Sequence, residues 1–142
     1  IDGNRIGVFG WSYGGYMASN LLFQSPNVFK MAVAVAPVTN WRFYDNIYTE
    51  RYMGLPSENG IGYDADSPLS HVDGLKGKYL LIHGTGDDNV HVQNSMRMVE
   101  ALVQADKDFD WFAYPDKNHG IYGGNTTMHL YRKMTNFIAE NL

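Results

Sequence analysis

Ser12 stands in the run Gly10-Trp11-Ser12-Tyr13-Gly14-Gly15. Before it lies an apolar stretch with Ile6, Val8 and Phe9, and after it a helical apolar pattern at Met17, Leu21 and Leu22. Strand, Gly-x-Ser-x-Gly and helix in that order describe a nucleophile elbow, a sharp turn that lifts a serine hydroxyl to the end of a sheet. Such a turn needs unusual backbone angles and little bulk, so glycine at Gly10 and Gly14 is expected to relieve the collisions. A serine hydroxyl is a weak nucleophile on its own. It needs a base within hydrogen-bond reach and an acidic group to orient that base.

Hydrolases built this way carry the three groups in the chain order Ser, Asp or Glu, His. Five histidines are available. His83 ends the apolar run Tyr79-Leu80-Leu81-Ile82 and reads as a packed strand residue. His129 falls in a C-terminal helical pattern, His71 in a polar stretch typical of surface, and His91 near a helix start. His119 sits in Asp116-Lys117-Asn118-His119-Gly120, a polar loop between a strand pattern and the last helix, which is where a general base is needed. The acid is expected in the loop Gly84-Thr85-Gly86-Asp87-Asp88-Asn89. Neighbouring side chains diverge, so only one of Asp87 and Asp88 can face an imidazole. Spacing leaves both open, and either is a candidate cap for the helix that carries Met96, Val99, Leu102 and Val103 on one face.

Longer runs carry more information. Gly10 to Tyr16, Ala36-Pro37-Val38 onward through Trp41, Tyr44 and Asp45, Tyr48 to Pro56, and Leu81 to His91 resemble the catalytic domain of the prolyl oligopeptidase family of serine peptidases, in its dipeptidyl peptidase IV branch. The similarity extends from Asn4 to the last helix. It implies Asp87 as the acid and supports Ser12 and His119 as nucleophile and base. It also implies that Val38, Trp41, Tyr44, Tyr48 and Val90, with Tyr13, wall the pocket for the residue preceding the cleaved bond. Asn89 matches the position that holds the carbonyl of the preceding substrate residue. Trp41, Tyr44 and Tyr48 are three and four apart, so a helix would line them on one face. Flat apolar walls suit a pyrrolidine ring, which is compact and lacks a donor.

The implied activity is release of N-terminal X-Pro or X-Ala dipeptides through an acyl-enzyme. His119 would take the Ser12 proton, Asp87 would hold the imidazole tautomer, and the backbone N–H of Tyr13 would donate to the oxyanion. An acylaminoacyl peptidase or esterase on the same fold is one alternative, and a catalytically silent folding or oligomerisation module is another. The resemblance further implies an exported parent, periplasmic or at the cell surface, and a peptide substrate with proline second from its N-terminus.

Four strand–helix pairs are expected to position these groups: Arg5–Phe9 with Gly15–Phe23, Met31–Ala36 with Trp41–Tyr52, Tyr79–His83 with His91–Asp106, and Phe109–Tyr114 with Thr126–Asn141. Alternation of this kind predicts an α/β fold, a parallel sheet of about four strands with helices on both faces. Pro56 to Asp73 is expected to be a structureless surface excursion. In an α/β-hydrolase the nucleophile strand lies near mid-sheet, yet here it comes first. The chain is therefore expected to be the C-terminal half of such a domain, without the N-terminal strands and propeller of its parent. Arg5–Phe9 would then be an edge, covered by another copy in a dimer or larger assembly.

Composition excludes several classes. The 142 residues contain 11 basic and 15 acidic side chains, a net charge of −4, which argues against nucleic acid or an anionic membrane as partner. No apolar run reaches the ~20 residues of a membrane span, and no secretory leader pattern opens the chain. With no cysteine, disulfides and thiol-ligated metals are excluded. Neither a metal nor a cofactor is expected.

Overall fold

The computed structural model describes Asp2–Leu142. Four parallel strands, β1 (Gly7–Trp11), β2 (Met31–Val35), β3 (Lys78–Gly84) and β4 (Asp110–Tyr114), pair side by side in chain order. Register is continuous across the sheet: Phe9 lies opposite Val33, Val33 opposite Leu80, and Leu80 opposite Asp110. Connecting them are α1 (Tyr13–Gln24), α2 (Asn46–Met53), α3 (Gly60–Ala65) and α4 (Gln93–Gln104), with α5 (Thr126–Asn141) following β4. The predicted α/β class and parallel sheet are present, and so are helices on both faces. β1 begins two residues later than expected and runs through Trp11 into the turn at Ser12.

The central strands are apolar throughout because both their faces are covered. Alternate residues divide between two cores. Ala32, Ala34, Tyr79 and Leu81 face Leu22 and Phe23 of α1 and Met98 and Leu102 of α4. Val33, Val35, Leu80 and Ile82 face Leu130, Met134 and Phe137 of α5 on the other side. A third cluster of Tyr16, Val38, Trp41, Tyr63 and Val90 lies between α1, α3 and the loops that follow β2 and β3.

Two expectations change. The helix predicted over Trp41–Tyr52 is two pieces, a single 3-10 turn at Trp41–Phe43 and then α2. Two caps cause the break. Asn40 accepts from the Arg42 N–H and starts the first piece, and Asp45 accepts from the Tyr48 N–H and starts the second, leaving Tyr44 extended between them. The stretch from Pro56 to Asp73 is also ordered. It carries α3 and a 3-10 helix over Pro68–Gly74, which starts with Ser67 accepting from the Leu69 N–H. Asp64 of α3 pairs with Arg42 at 2.7 Å and Tyr63 is buried. None of the described helices is long and apolar enough to cross a membrane.

Because Asp45 carries the α2 cap, Asp45→Ala should destabilise the protein by about 1 kcal/mol, whereas Asp45→Asn, an equally good cap, should change it little. Urea unfolding midpoints at unchanged slope give the comparison. Equal losses in both variants would mean that the cap does not hold this segment.

Candidate active site

In a parallel sheet the strands end together, so the loops after β1, β2, β3 and β4 gather on one side. The loop after β1 is one residue long. Ser12 sits there with φ 59° and ψ −120°, outside the regions an L-residue ordinarily occupies. Its N–H donates to Val35 at 2.9 Å and its carbonyl accepts from Tyr16, so strand pairing and the first turn of α1 impose the conformation. A Cβ on Gly10 would stand 1.8 Å from the Gly14 carbonyl oxygen, and one on Gly15 would stand 2.8 Å from Pro37. A Cβ on Gly14 would meet nothing within 4 Å among the described residues. Close approach is therefore relieved here by Gly10 and Gly15, not by Gly14 as expected. Tyr13 is the first residue of α1, so its N–H belongs to the donors a helix leaves without an internal partner.

The loop after β3 places Asp87 inside the protein, 5% exposed. Its Oδ1 accepts from the N–H groups of Asn89 and Val90, each at 3.0 Å. Its Oδ2 accepts from His119 Nδ1–H at 2.7 Å. Burial alone would push this carboxyl up. Hydrogen bonds from His119, from His83 and from the Asn89 backbone outweigh it and hold the group well below the usual carboxylate range. The charged carboxylate can only accept, so Nδ1 of His119 carries a proton, and in the neutral ring the lone pair is on Nε2. Asp88 turns outward and is exposed. The pair that spacing left open is thus separated by burial. Neither residue caps α4, whose N-cap is Val92 and which has no side-chain cap.

His119 is held from several directions. Trp11 Nε1–H donates to its carbonyl at 2.9 Å, tying the elbow directly to the loop after β4. Gly86 N–H donates to the Lys117 carbonyl and Asp116 N–H to Thr85 Oγ1, which fastens that loop to the one after β3. Buried Ile121, at φ 47°, anchors its far end. The Ser12 hydroxyl makes no hydrogen bond among the described residues.

Beside Ser12 the aromatic side chains form one connected group. Trp41 lies 5.6 Å from Tyr13 and 5.9 Å from both Tyr44 and Tyr48, ring centre to ring centre. Tyr13, Tyr16, Trp41, Tyr48, Thr49 and Tyr52 line a cavity of about 510 Å³. Tyr44 and Asn89 line the adjoining hollow and are joined there, Tyr44 OH donating to Asn89 Oδ1 at 2.7 Å. Val38 and Val90 are buried and pack beneath Trp41 instead of facing the opening. Local sequence marks none of Trp11, Tyr16 and His83 as site residues: Trp11 and Tyr16 bond His119 and Asp66, 108 and 50 residues away, and His83 bonds Asp87, Val90 and Ser95 across the turn after β3.

Dipeptidyl peptidase 4 of Felis catus is 47% identical over 99% of this chain, and prolyl endopeptidase FAP of Homo sapiens is 46% identical over the same share. The chain spans 19% of the length of each. The crystal structure of dipeptidyl peptidase 4 from Porphyromonas gingivalis superposes with a TM-score of 0.97 at 51% identity, covering all of this chain and 20% of that one. The family model for the prolyl oligopeptidase family matches residues 1–142, so this chain belongs to the prolyl oligopeptidase family.

Proposed function

We propose that these residues are the C-terminal part of an α/β-hydrolase catalytic domain within a longer serine exopeptidase that releases X-Pro or X-Ala dipeptides from peptide N-termini. The observation that carries the reading is the hydrogen bond from His119 Nδ1–H to the buried Asp87 carboxylate, on the side of the sheet where Ser12 stands on a strained turn. The share of each relative that the chain spans supports its place in a longer polypeptide. In such a protein the β1 edge, where Phe9 is half exposed, would be covered by further strands or by a second copy.

His119 Nε2 takes the Ser12 proton as the hydroxyl attacks the carbonyl after proline. Asp87 fixes the tautomer and stabilises the imidazolium that forms. The Tyr13 N–H, at the positive end of α1, donates to the oxyanion. His119 then protonates the departing amine, and water attacks the acyl-enzyme by the same steps. The proline ring lies against Tyr13, Trp41, Tyr44 and Tyr48, over a floor packed by Val38 and Val90. With its oxygen engaged by Tyr44, Asn89 offers its NH₂ to the carbonyl of the preceding residue.

A second reading is favoured by one finding, the nearly equal similarity to a prolyl endopeptidase, 46% against 47%. A chromogenic Gly-Pro amide with a free amine and its N-acylated counterpart, given to the full-length protein, separate the two. Preference for the free amine is expected, and preference for the blocked substrate would make the protein an endopeptidase.

In the full-length protein, Ser12→Ala, His119→Ala and Asp87→Ala should each lower kcat/KM for the Gly-Pro amide by roughly ten-thousandfold or more, with little further loss in combination. Asp88→Ala should cost less than about tenfold. Equal damage from Asp88→Ala and Asp87→Ala, in folded proteins, would contradict the assignment of the acid. Trp41→Ala and Tyr44→Ala should each reduce the preference for proline over larger apolar residues, by about 1–3 kcal/mol in relative kcat/KM. Unchanged preference in both would leave these rings a packing role only.

A further inference from the structure

His83, next to the last residue of β3, is completely buried at 0% exposure, and its ring meets three polar groups. Nδ1 lies 2.7 Å from Ser95 Oγ of α4. Nε2 lies 2.8 Å from the Val90 carbonyl and 3.2 Å from Asp87 Oδ2. Both partners of Nε2 are acceptors, so Nε2 carries a proton and shares it between them. The Ser95 hydroxyl, which can donate or accept, completes the ring's partners.

This geometry gives His83 a particular place around Asp87. Oδ1 is occupied by two backbone N–H groups, and Oδ2 is shared by two imidazoles, His119 and His83. A carboxylate with one occupied oxygen can still rotate about Cβ–Cγ. A second donor on Oδ2, mounted on the interior of the sheet, opposes that rotation. The same N–H holds the Val90 carbonyl, and with it the turn that delivers the Asn89 and Val90 N–H groups to Oδ1.

We propose that His83 is a positioning residue for the hydrolytic reaction: its Nε2–H, held from β3 and backed by Ser95, sets the plane in which the Asp87 carboxylate receives His119 Nδ1–H. The proposal rests on the catalytic reading above. It predicts a loss in the chemical step and not in substrate affinity, because His83 touches neither the aromatic cavity nor Asn89's side chain.

The test uses the full-length protein carrying His83→Gln, His83→Asn, His83→Leu or Ser95→Ala, with thermal unfolding as the control for folding. Two substrates are compared, a Gly-Pro chromogenic amide and p-nitrophenyl acetate, whose acyl group makes no use of the proline pocket. A wild-type protein that cleaves the ester and not the amide would overturn the specificity, and the His83 effect would then be read on the ester. Inactivity towards both would overturn the catalytic reading and this proposal with it. Glutamine can place an N–H near the position of Nε2, whereas asparagine reaches only the Ser95 side and leucine supplies no donor. The expected result is a loss of about tenfold to a hundredfold in kcat for the Leu and Asn variants, with KM within about twofold, comparable to losing an outer hydrogen bond behind a catalytic group. The Gln variant should recover to within about threefold of wild type, and Ser95→Ala should lose about threefold to tenfold. Should the Leu variant fail to fold, the Gln and Ser95→Ala variants decide. Overturning results would be a folded Gln variant as impaired as Asn or Leu, a change confined to KM, or unchanged kcat in Ser95→Ala.

Discussion

A carboxylate enclosed by protein is tolerable only where its lone pairs are met, since an ionised group moved from water without partners costs many kcal/mol. Asp87 meets that condition with four donors: the Asn89 and Val90 N–H groups on one oxygen, and His119 and His83 on the other. These donors come from three pieces of structure. The backbone pair belongs to the loop after β3, His83 to β3 itself, and His119 to the loop after β4. Meeting the needs of one buried charge therefore fixes two loops against the end of the sheet. It also sets the imidazole tautomer that the proposed chemistry requires, because an acceptor on Nδ1 leaves the lone pair of His119 on Nε2.

The opposite end of the proposed triad is fixed by strain instead of charge. Ser12 at φ 59° and buried Ala36 at φ 43° stand at adjacent strand ends, where short turns must leave the sheet abruptly. Such conformations cost of order 1–3 kcal/mol each and persist only where the surroundings over-determine them. Here the surroundings are two cores on either side of an apolar sheet and the pairing of Ser12 with Val35. Trp11 joins the two ends, because its ring nitrogen holds the carbonyl of His119 one residue away from Ser12. A displacement of the His119 loop would have to break that bond and the bonds from Gly86 and Asp116 together.

Much of this was legible in the chain because local pattern and tertiary role agree. Apolar runs in β2 and β3 signal burial on both faces, and α5 was delimited to the residue by its pattern. Elsewhere one short-range rule competes with another, or a partner is brought near only by the fold. Spacing of Trp41, Tyr44 and Tyr48 suggested one helix, but Asp45 serves as a cap within that stretch and begins a new one. Gly14 fits the motif, yet the contact that excludes a side chain falls on Gly15, against Pro37, which only the folded chain brings near. His83 looked like one more packed strand residue. Its partners Asp87, Val90 and Ser95 are 4, 7 and 12 residues away, joined by a turn whose shape could not be read from composition. Asp87 and Asp88 illustrate the same limit: spacing leaves both open, the family resemblance implies Asp87, and the fold distinguishes them by burial.

Covalent labelling tests most directly whether the His119–Asp87 pair activates Ser12. The full-length protein is treated with a fluorophosphonate, digested, and the modified peptide identified by mass spectrometry. A single adduct on the Ser12 hydroxyl is expected, and its disappearance when His119 is replaced by alanine in a protein that remains folded. Labelling confined to another residue, or undiminished labelling of Ser12 without His119, would contradict it.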